Sequence, residues 1–386
     1  MKYAKWMKNV GEGFIGEMLR AAQNPAMISF AGGLPALDLF PTQDLQAAFQ
    51  KVFEEQGNAA LQYAQTAGYP ELRSWVASQH QRSQRPARTA EVIITTGSQQ
   101  GLSLLAQTFL DPGDTVFLET PTYLGAIQAF EGFRADFQMI PCDEEGILPD
   151  ELEKALAFTT PKFLYLIPNY QNPSGRVMGL ERRKELLKVS QKYGLLLVED
   201  NPYGELRYEG EPIPHLAELG ENVIYLGTFS KVLAPGLRIG YVLADEDIIM
   251  HLEQTKEGVD LHSNNLTQRA IYEYLQKDLL PDHILKLREV YNVRRKAMVE
   301  SIQTYLGDRV EMKVPAGGLF LWAKLMGVNN SFDYVQDMIR QNVLYVPGAV
   351  FYADGRVSNE MRLNYSCSTP EMIEEGMRRL ARGLNQ

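Results

Sequence analysis

Cysteine is almost absent from this chain: among 386 residues only Cys142 and Cys367 occur. Two thiols cannot build a disulfide framework, which fits a reducing compartment and leaves a pair of incidental buried thiols as the expectation. The five histidines (His80, His215, His251, His262 and His283) are scattered without Cys/His metal spacing, so no catalytic metal is expected. No apolar run approaches the roughly 18 residues that a membrane span needs. Residues 1–20 mix lysines with single apolar residues and lack the continuous apolar stretch of a signal peptide. A basic surplus is missing as well. Lysine and arginine number 38 against 48 acidic residues, a net charge of −10, unlike the footprint of a nucleic-acid binder. A cytoplasmic protein with no membrane and no nucleic-acid partner is the expectation.

What is present is ordinary globular composition, 45% hydrophobic and 22% charged, in a chain long enough for a sizeable core. Short apolar runs recur at Val92–Thr95, Thr115–Leu118, Phe137–Ile140, Phe163–Ile167, Leu195–Val198, Val223–Leu226 and Ile239–Leu243. Several are continuously apolar, as strands covered on both faces should be. Helical patterns such as Gln99–Phe109, Thr122–Glu131 and Leu180–Tyr193 lie between them. This alternation predicts an α/β fold with a mostly parallel sheet. After about residue 280 the pattern changes: a long amphipathic stretch over about 282–305 leads into a smaller α+β unit. The expected division is an N-terminal arm with part of the small domain (1–40), a large domain (41–280) and a small C-terminal domain (281–386).

The richest stretch runs from Gly227 to Tyr241. There Lys231 lies close to Thr228 and Ser230, and Arg238 follows seven positions after the lysine. A lysine amine forms a Schiff base with an aldehyde, while hydroxyls and a guanidinium suit a phosphate. An aldehyde and a phosphate on one small molecule describe pyridoxal 5'-phosphate (PLP). Gly97-Ser98-Gln99 follows a predicted strand and opens a helix, whose free N–H groups offer a second phosphate seat, although an ordinary strand-to-helix turn reads the same way. Asp200 ends an apolar strand, where ligands of parallel sheets bind; it could hold a pyridine nitrogen protonated, or it could be a turn aspartate before Asn201-Pro202. Asn172 and Tyr203 could donate to a phenolate oxygen, and Tyr123 could stack on a flat ring. Arg362 could clamp a carboxylate or form a surface ion pair.

In order along the chain stand Ser98/Gln99, Tyr123, Asn172-Pro173-Ser174-Gly175, Asp200 with Tyr203, Ser230-Lys231, the segment Pro235 to Gly240 with Arg238, and Arg362. The set resembles the fold-type I PLP enzymes and, within them, the class I/II aminotransferases. Phe30-Ala31-Gly32-Gly33-Leu34-Pro35, Tyr69-Pro70 and Val198-Glu199-Asp200 resemble the subgroup of 2-aminoadipate-type aminotransferases. The resemblance implies a large domain with a seven-stranded, mostly parallel sheet and a smaller α+β domain. It makes Lys231 the Schiff-base lysine and Asp200 the partner of the ring nitrogen, with Asn172, Tyr203 and Tyr123 on the ring and Ser98, Gln99, Ser230 and Arg238 on the phosphate. Arg362 would bind the substrate α-carboxylate with help from Gly33 and Asn172, and Arg20 a distal carboxylate. Tyr63 would reach the phosphate of a neighbouring subunit in a homodimer with shared active sites, and Asn264 falls in a similar segment. The activity implied is ping-pong transfer of an amino group from an L-α-amino acid to a 2-oxo acid, 2-oxoglutarate by analogy. A PLP-dependent β-lyase on the same fold and a non-catalytic aminotransferase-like binding domain are the alternatives.

Overall fold

The computed structural model describes residues 24–385. Strands β1 (Val92–Thr95), β2 (Thr115–Glu119), β3 (Asp136–Ile140), β4 (Phe163–Leu166), β5 (Leu197–Asp200), β6 (Val223–Thr228) and β7 (Gly240–Leu243) form one sheet in the order β1-β7-β6-β5-β4-β2-β3. Only β7 runs antiparallel to its neighbours. Every residue of β1, β4 and β5 is buried, which is why these runs carry no polar alternation. Separate apolar clusters line the sheet's two faces: Ile94, Leu164 and Leu197 belong to one, and Ile93, Tyr165 and Val198 to the other.

Helices cover these faces. Helix α1 (Thr42–Ala60) buries Leu45, Ala48 and Val52, and α2 (Ser98–Phe109) buries Leu102, Leu104 and Leu105. Helix α3 (Leu180–Tyr193) ends at Gly194, whose φ of +63° gives the left-handed C-terminal turn that glycine adopts without strain. After α4 (Asn265–Leu275), whose N-terminal cap is the Asn264 side chain accepting from Thr267 N, comes α5 (Leu280–Tyr305), with Pro281 in its first turn. Helix α5 inserts two buried arginines: Arg294 pairs with Asp38, and Arg295 pairs with Glu209 and donates to the Pro315 carbonyl.

A second sheet, antiparallel, has the order β8 (Val310–Met312), β9 (Phe320–Leu325), β11 (Glu360–Asn364) and β10 (Val346–Pro347). Helix α6 (Pro370–Gly383), capped by the Thr369 hydroxyl, covers it with Ile373, Met377 and Leu380. Ile28–Ser29 pairs with Val343–Leu344, so the segment entering from the N-terminal side packs against this smaller α+β unit. The expected fold is therefore present: a seven-stranded, mostly parallel sheet in a large domain and a smaller α+β domain.

Most strand and helix limits shift by a residue or two from expectation, and two of the shifts have local reasons. Leu195 belongs to the turn after α3, its N donating to the Ser190 carbonyl and its carbonyl accepting from Ser190 Oγ, and Leu196 leads into the sheet with its carbonyl accepting from Leu164 N. The strand consequently starts at Leu197 and carries Asp200 as its last residue. The helix expected from Thr122 begins at Leu124, because Thr122 N is taken by the Phe351 carbonyl and Tyr123 is extended. Among the described residues no helix is long and apolar enough to cross a membrane.

Candidate active site

The carboxyl ends of β2, β4, β5 and β6 open onto one cavity, the place where parallel sheets present ligand-binding loops. Asp200, Asn172, Tyr203, Lys231, Ser230 and Arg238 line it together with Ser98, Gln99 and Tyr123. An adjoining cavity shares Lys231, Asn172, Tyr203, Tyr123 and Gln99 and adds Arg362, Gly33, Leu34, Leu124, Val346 and Phe351.

Strand β6 stops at Thr228, and the chain folds back through Lys231 to β7. Arg238 makes the turn in the left-handed region at φ +54°. Its guanidinium donates to the Thr96 carbonyl, which brings it beside Gly97, the N-terminal cap of α2. Thr228 Oγ1 donates to Ser230 Oγ at 3.0 Å and accepts from Ser230 N at 3.1 Å. Two hydroxyls, a guanidinium and the open N–H end of α2 thus face the same space, a donor set for an anion. The close approach depends on Gly240: a Cβ there would lie 2.8 Å from Gly97 C and Ser98 N. Gly240→Ala is expected to push this loop aside and raise the dissociation constant for a phosphate-bearing ligand about tenfold, read by titration calorimetry.

Lys231 donates to the Gly33 carbonyl at 2.8 Å. Burial, reinforced by the positive charge of Arg362, lowers its pKa to about 8. Asp200 is 2% exposed. One carboxylate oxygen accepts from the Tyr165 hydroxyl at 2.7 Å, and the other, Oδ1, is buried without a partner. Burial raises this carboxyl to about 7. A buried, unpartnered acceptor at the floor of a cavity is the feature that a protonated ring nitrogen would satisfy.

Arg362 projects from β11 between two phenyl faces, 4.3 Å from the Phe320 centroid and 5.0 Å from that of Phe351. Nη1 donates to Asn172 Oδ1 at 2.8 Å and Nη2 to the Ala31 carbonyl at 2.7 Å, while buried Nε has no partner. Asn172 Nδ2 donates to the Tyr203 hydroxyl at 3.3 Å. Burial lowers the pKa of Arg362 to about 10, so the group stays cationic at neutral pH.

A family model described as aminotransferase class I and II matches residues 27–380. The chain belongs to this family. It is 40% identical over 380 residues to aromatic-amino-acid aminotransferase 1 of Thermococcus litoralis, covering 96% of this chain and 91% of the relative. It is likewise 40% identical over 396 residues to the 2-aminoadipate transaminase of Thermus thermophilus, covering 100% and 98%. Among solved structures, the alpha-aminoadipate aminotransferase of Thermus thermophilus, complexed with N-(5'-phosphopyridoxyl)-L-leucine, superposes with a TM-score of 0.93 at 39% identity, covering 99% and 97% of the two chains. The fold is that of the fold-type I PLP aminotransferases, and the protein is an enzyme of that class.

Within this aminotransferase, Ser98, Gln99, Tyr123, Asn172, Asp200, Tyr203, Ser230, Lys231, Arg238, Gly33 and Arg362 come together around the two adjoining cavities. Tyr63 does not line them; it stands 78% exposed beside His262, at a ring-centroid distance of 5.8 Å. Arg20 lies outside the described residues. The expectation of two buried cysteines is corrected: Cys142 is half-buried, and Cys367 is exposed at the rim of the cavity, its thiol donating to the Leu34 carbonyl. Sequence reasoning missed Tyr165, whose signal was a lone hydroxyl in an apolar strand. It also missed Phe320 and Phe351, which are 42 and 11 residues from Arg362 in sequence and gave no local signal. Among the described residues no His/Cys/Asp/Glu group could hold a metal ion.

Proposed function

We propose that this aminotransferase transfers the amino group of an L-α-amino acid to a 2-oxo acid, 2-oxoglutarate being the acceptor to try first, in a ping-pong cycle on PLP attached through Lys231. The observation that carries this reading is the convergence of three groups on adjoining cavities: the half-buried Lys231 amine, the buried unpartnered Asp200 oxygen and the buried Arg362 guanidinium. These residues fit the cofactor. Ser98, Gln99, Ser230 and Arg238 would hold its phosphate, Asp200 its ring nitrogen, Asn172 and Tyr203 its phenolate oxygen, and Tyr123 its ring face. When bound, PLP supplies an aldehyde for amine exchange and a protonated ring that draws electrons from the substrate Cα.

The chain's own groups then divide the work. Arg362, packed over the rings of Phe320 and Phe351, binds the α-carboxylate and so fixes which substituent of Cα points at Lys231. Lys231, with a pKa lowered to about 8, is close to the proton affinity of a base that works near neutral pH. Its Nζ takes the proton from Cα and returns it across the transferred nitrogen. With its carboxyl raised to about 7, Asp200 is only partly ionised near neutral pH on its own, and a cationic ring nitrogen facing it would complete the ionisation. Amino acid and oxo acid use the same guanidinium in turn, as an alternating cycle requires. A second copy of the chain completes the site: Tyr63, with the exposed Leu61, Phe53 and Leu261, provides the surface for a homodimer.

The test is PLP-loaded protein mixed with 2-oxoglutarate and a panel of L-amino acids, with glutamate as the readout. Glutamate from none of them, with other 2-oxo acids equally inert, contradicts the reading. Arg362→Lys keeps the charge but loses the planar fork. It is expected to cost about 2–3 kcal/mol, roughly 30- to 150-fold in kcat/KM, mostly as a raised KM. An unchanged KM would remove Arg362 from substrate binding.

A further inference from the structure

Two residues that face the cavity, Tyr123 and Asn172, are carried by the loops that follow the adjacent strands β2 and β4. Gln171, one residue before Asn172 and only 2% exposed, lies between these loops. Its Nε2 donates across to the Pro121 carbonyl at 2.7 Å and, more weakly, to Glu119 Oε2 at 3.4 Å. Its Oε1 accepts from Ser174 N at 2.8 Å and Ser174 Oγ at 2.6 Å within its own loop. Glu119, 3% exposed at the end of β2, also accepts from Ile167 N at 2.8 Å. A second tie runs in parallel: Arg176 Nη1 donates to the Thr120 carbonyl at 3.1 Å, while the Arg176 carbonyl accepts from Gln171 N at 2.9 Å. Gln171 lines neither cavity, so it touches neither reacting atoms nor ligand.

We propose that Gln171, seated on Glu119 and braced by Arg176, is a positioning residue that ties the two loops and thereby sets Asn172 and, through Asn172 Oδ1, the guanidinium of Arg362. The physical case rests on satisfied hydrogen bonds in a buried setting. One amide fills all four of its hydrogen-bonding directions on two separate loops, so neither loop can move without leaving a buried polar group unpaired. Burial raises the Glu119 carboxyl to about 7, while the Ile167 N–H, the Arg176 charge and the Gln171 amide all favour its ionised, accepting form. The next residue, Asn172, then has one freedom fewer, and Arg362 inherits its position from Asn172 at 2.8 Å.

This inference rests on the proposed amino-acid chemistry for one of its two readouts. Gln171→Met removes every side-chain hydrogen bond of this residue at nearly constant volume. In PLP-loaded protein it is expected to raise KM for the best amino donor about tenfold while kcat stays within about threefold, and to weaken PLP binding to the cofactor-free protein several-fold. A folded Gln171→Met protein with wild-type KM and wild-type PLP affinity, only lowered in melting temperature, overturns the proposal, because a purely structural amide would show that pattern. If Gln171→Met does not fold, Arg176→Ala, which cuts the outer tie, decides the matter: a smaller rise of KM in the same direction supports the latch, and an unchanged KM overturns it. If wild-type protein shows no transamination, the functional reading fails by itself, and the PLP dissociation constants of the variants still test the latch.

Discussion

Lys231→Ala is expected to lower turnover by about 10⁴-fold or more, the upper end of what a positioned acid–base group contributes, since the same side chain also anchors the cofactor. The fold should survive. The amine makes one described hydrogen bond, to the Gly33 carbonyl, and its lowered pKa shows that burial disfavours its charge. Removing it relieves a desolvation cost and leaves one carbonyl to find water, so the melting temperature should change little. The direct readout is chemical: borohydride treatment of the PLP-loaded wild type should fix the cofactor on the peptide containing Lys231, and the variant should show no label there. Lys256 is the instructive control, because it is fully buried yet neutralised by Asp260 rather than left facing a cavity. A label on Lys256, or wild-type turnover by Lys231→Ala, would contradict the assignment.

Asp200→Ala is expected to retain bound cofactor but to lose about 10²- to 10⁴-fold in the rate of proton transfer, because no anion then holds the ring nitrogen protonated. Near-normal kcat in this variant would remove Asp200 from the electron-withdrawing role. The same residue predicts a pH dependence of stability. In the cofactor-free protein burial raises its carboxyl to about 7, above the roughly 3.9 of an unfolded aspartate. Between those values the folded chain holds a proton that the unfolded chain has released, so the stabilising contribution is complete below about pH 4 and declines as pH rises towards about 7. The melting temperature of the cofactor-free wild type, taken relative to Asp200→Asn at each pH, should fall across that window. Other titrating groups, Glu119 included, are common to both proteins and cancel in the difference. PLP should abolish or reverse the decline by giving the carboxylate a cationic partner. A difference that stays flat with pH in the absence of PLP would show that Asp200 is ionised in the fold.

The sheet was legible because burial on both faces leaves a continuous apolar run, as at Phe163–Leu166 and Val223–Leu226. The site was legible where its residues cluster in sequence, from Thr228 to Arg238, or stand at a strand end, as Asp200 does. Ser98, Gln99, Tyr123, Asn172, Tyr203 and Arg362 were candidates with ordinary alternatives, to which the resemblance assigned roles, and it added Gly33. What stayed hidden depends on contacts between distant segments. The phenyl rings that hold Arg362 come from β9 and from the turn after β10, and the tie from Gln171 to Pro121 spans 50 residues. Gln171 stood in view next to Asn172, but a glutamine in a Pro- and Asn-rich loop reads as a solvated turn residue until its burial is known. Tyr165 was similarly masked by the ordinary role of tyrosine in a core.

The most direct test of the central claim is the visible spectrum of the PLP-loaded wild-type protein during addition of L-amino acids one at a time, followed by a 2-oxo acid. The account predicts a yellow band that disappears with a suitable amino acid, remains absent after the new oxo acid is removed, and returns on addition of 2-oxoglutarate or another 2-oxo acid. No yellow band with added PLP would contradict the assignment of Lys231. A band that persists while ammonia or an olefinic product accumulates would contradict transamination and place the chemistry with the lyases.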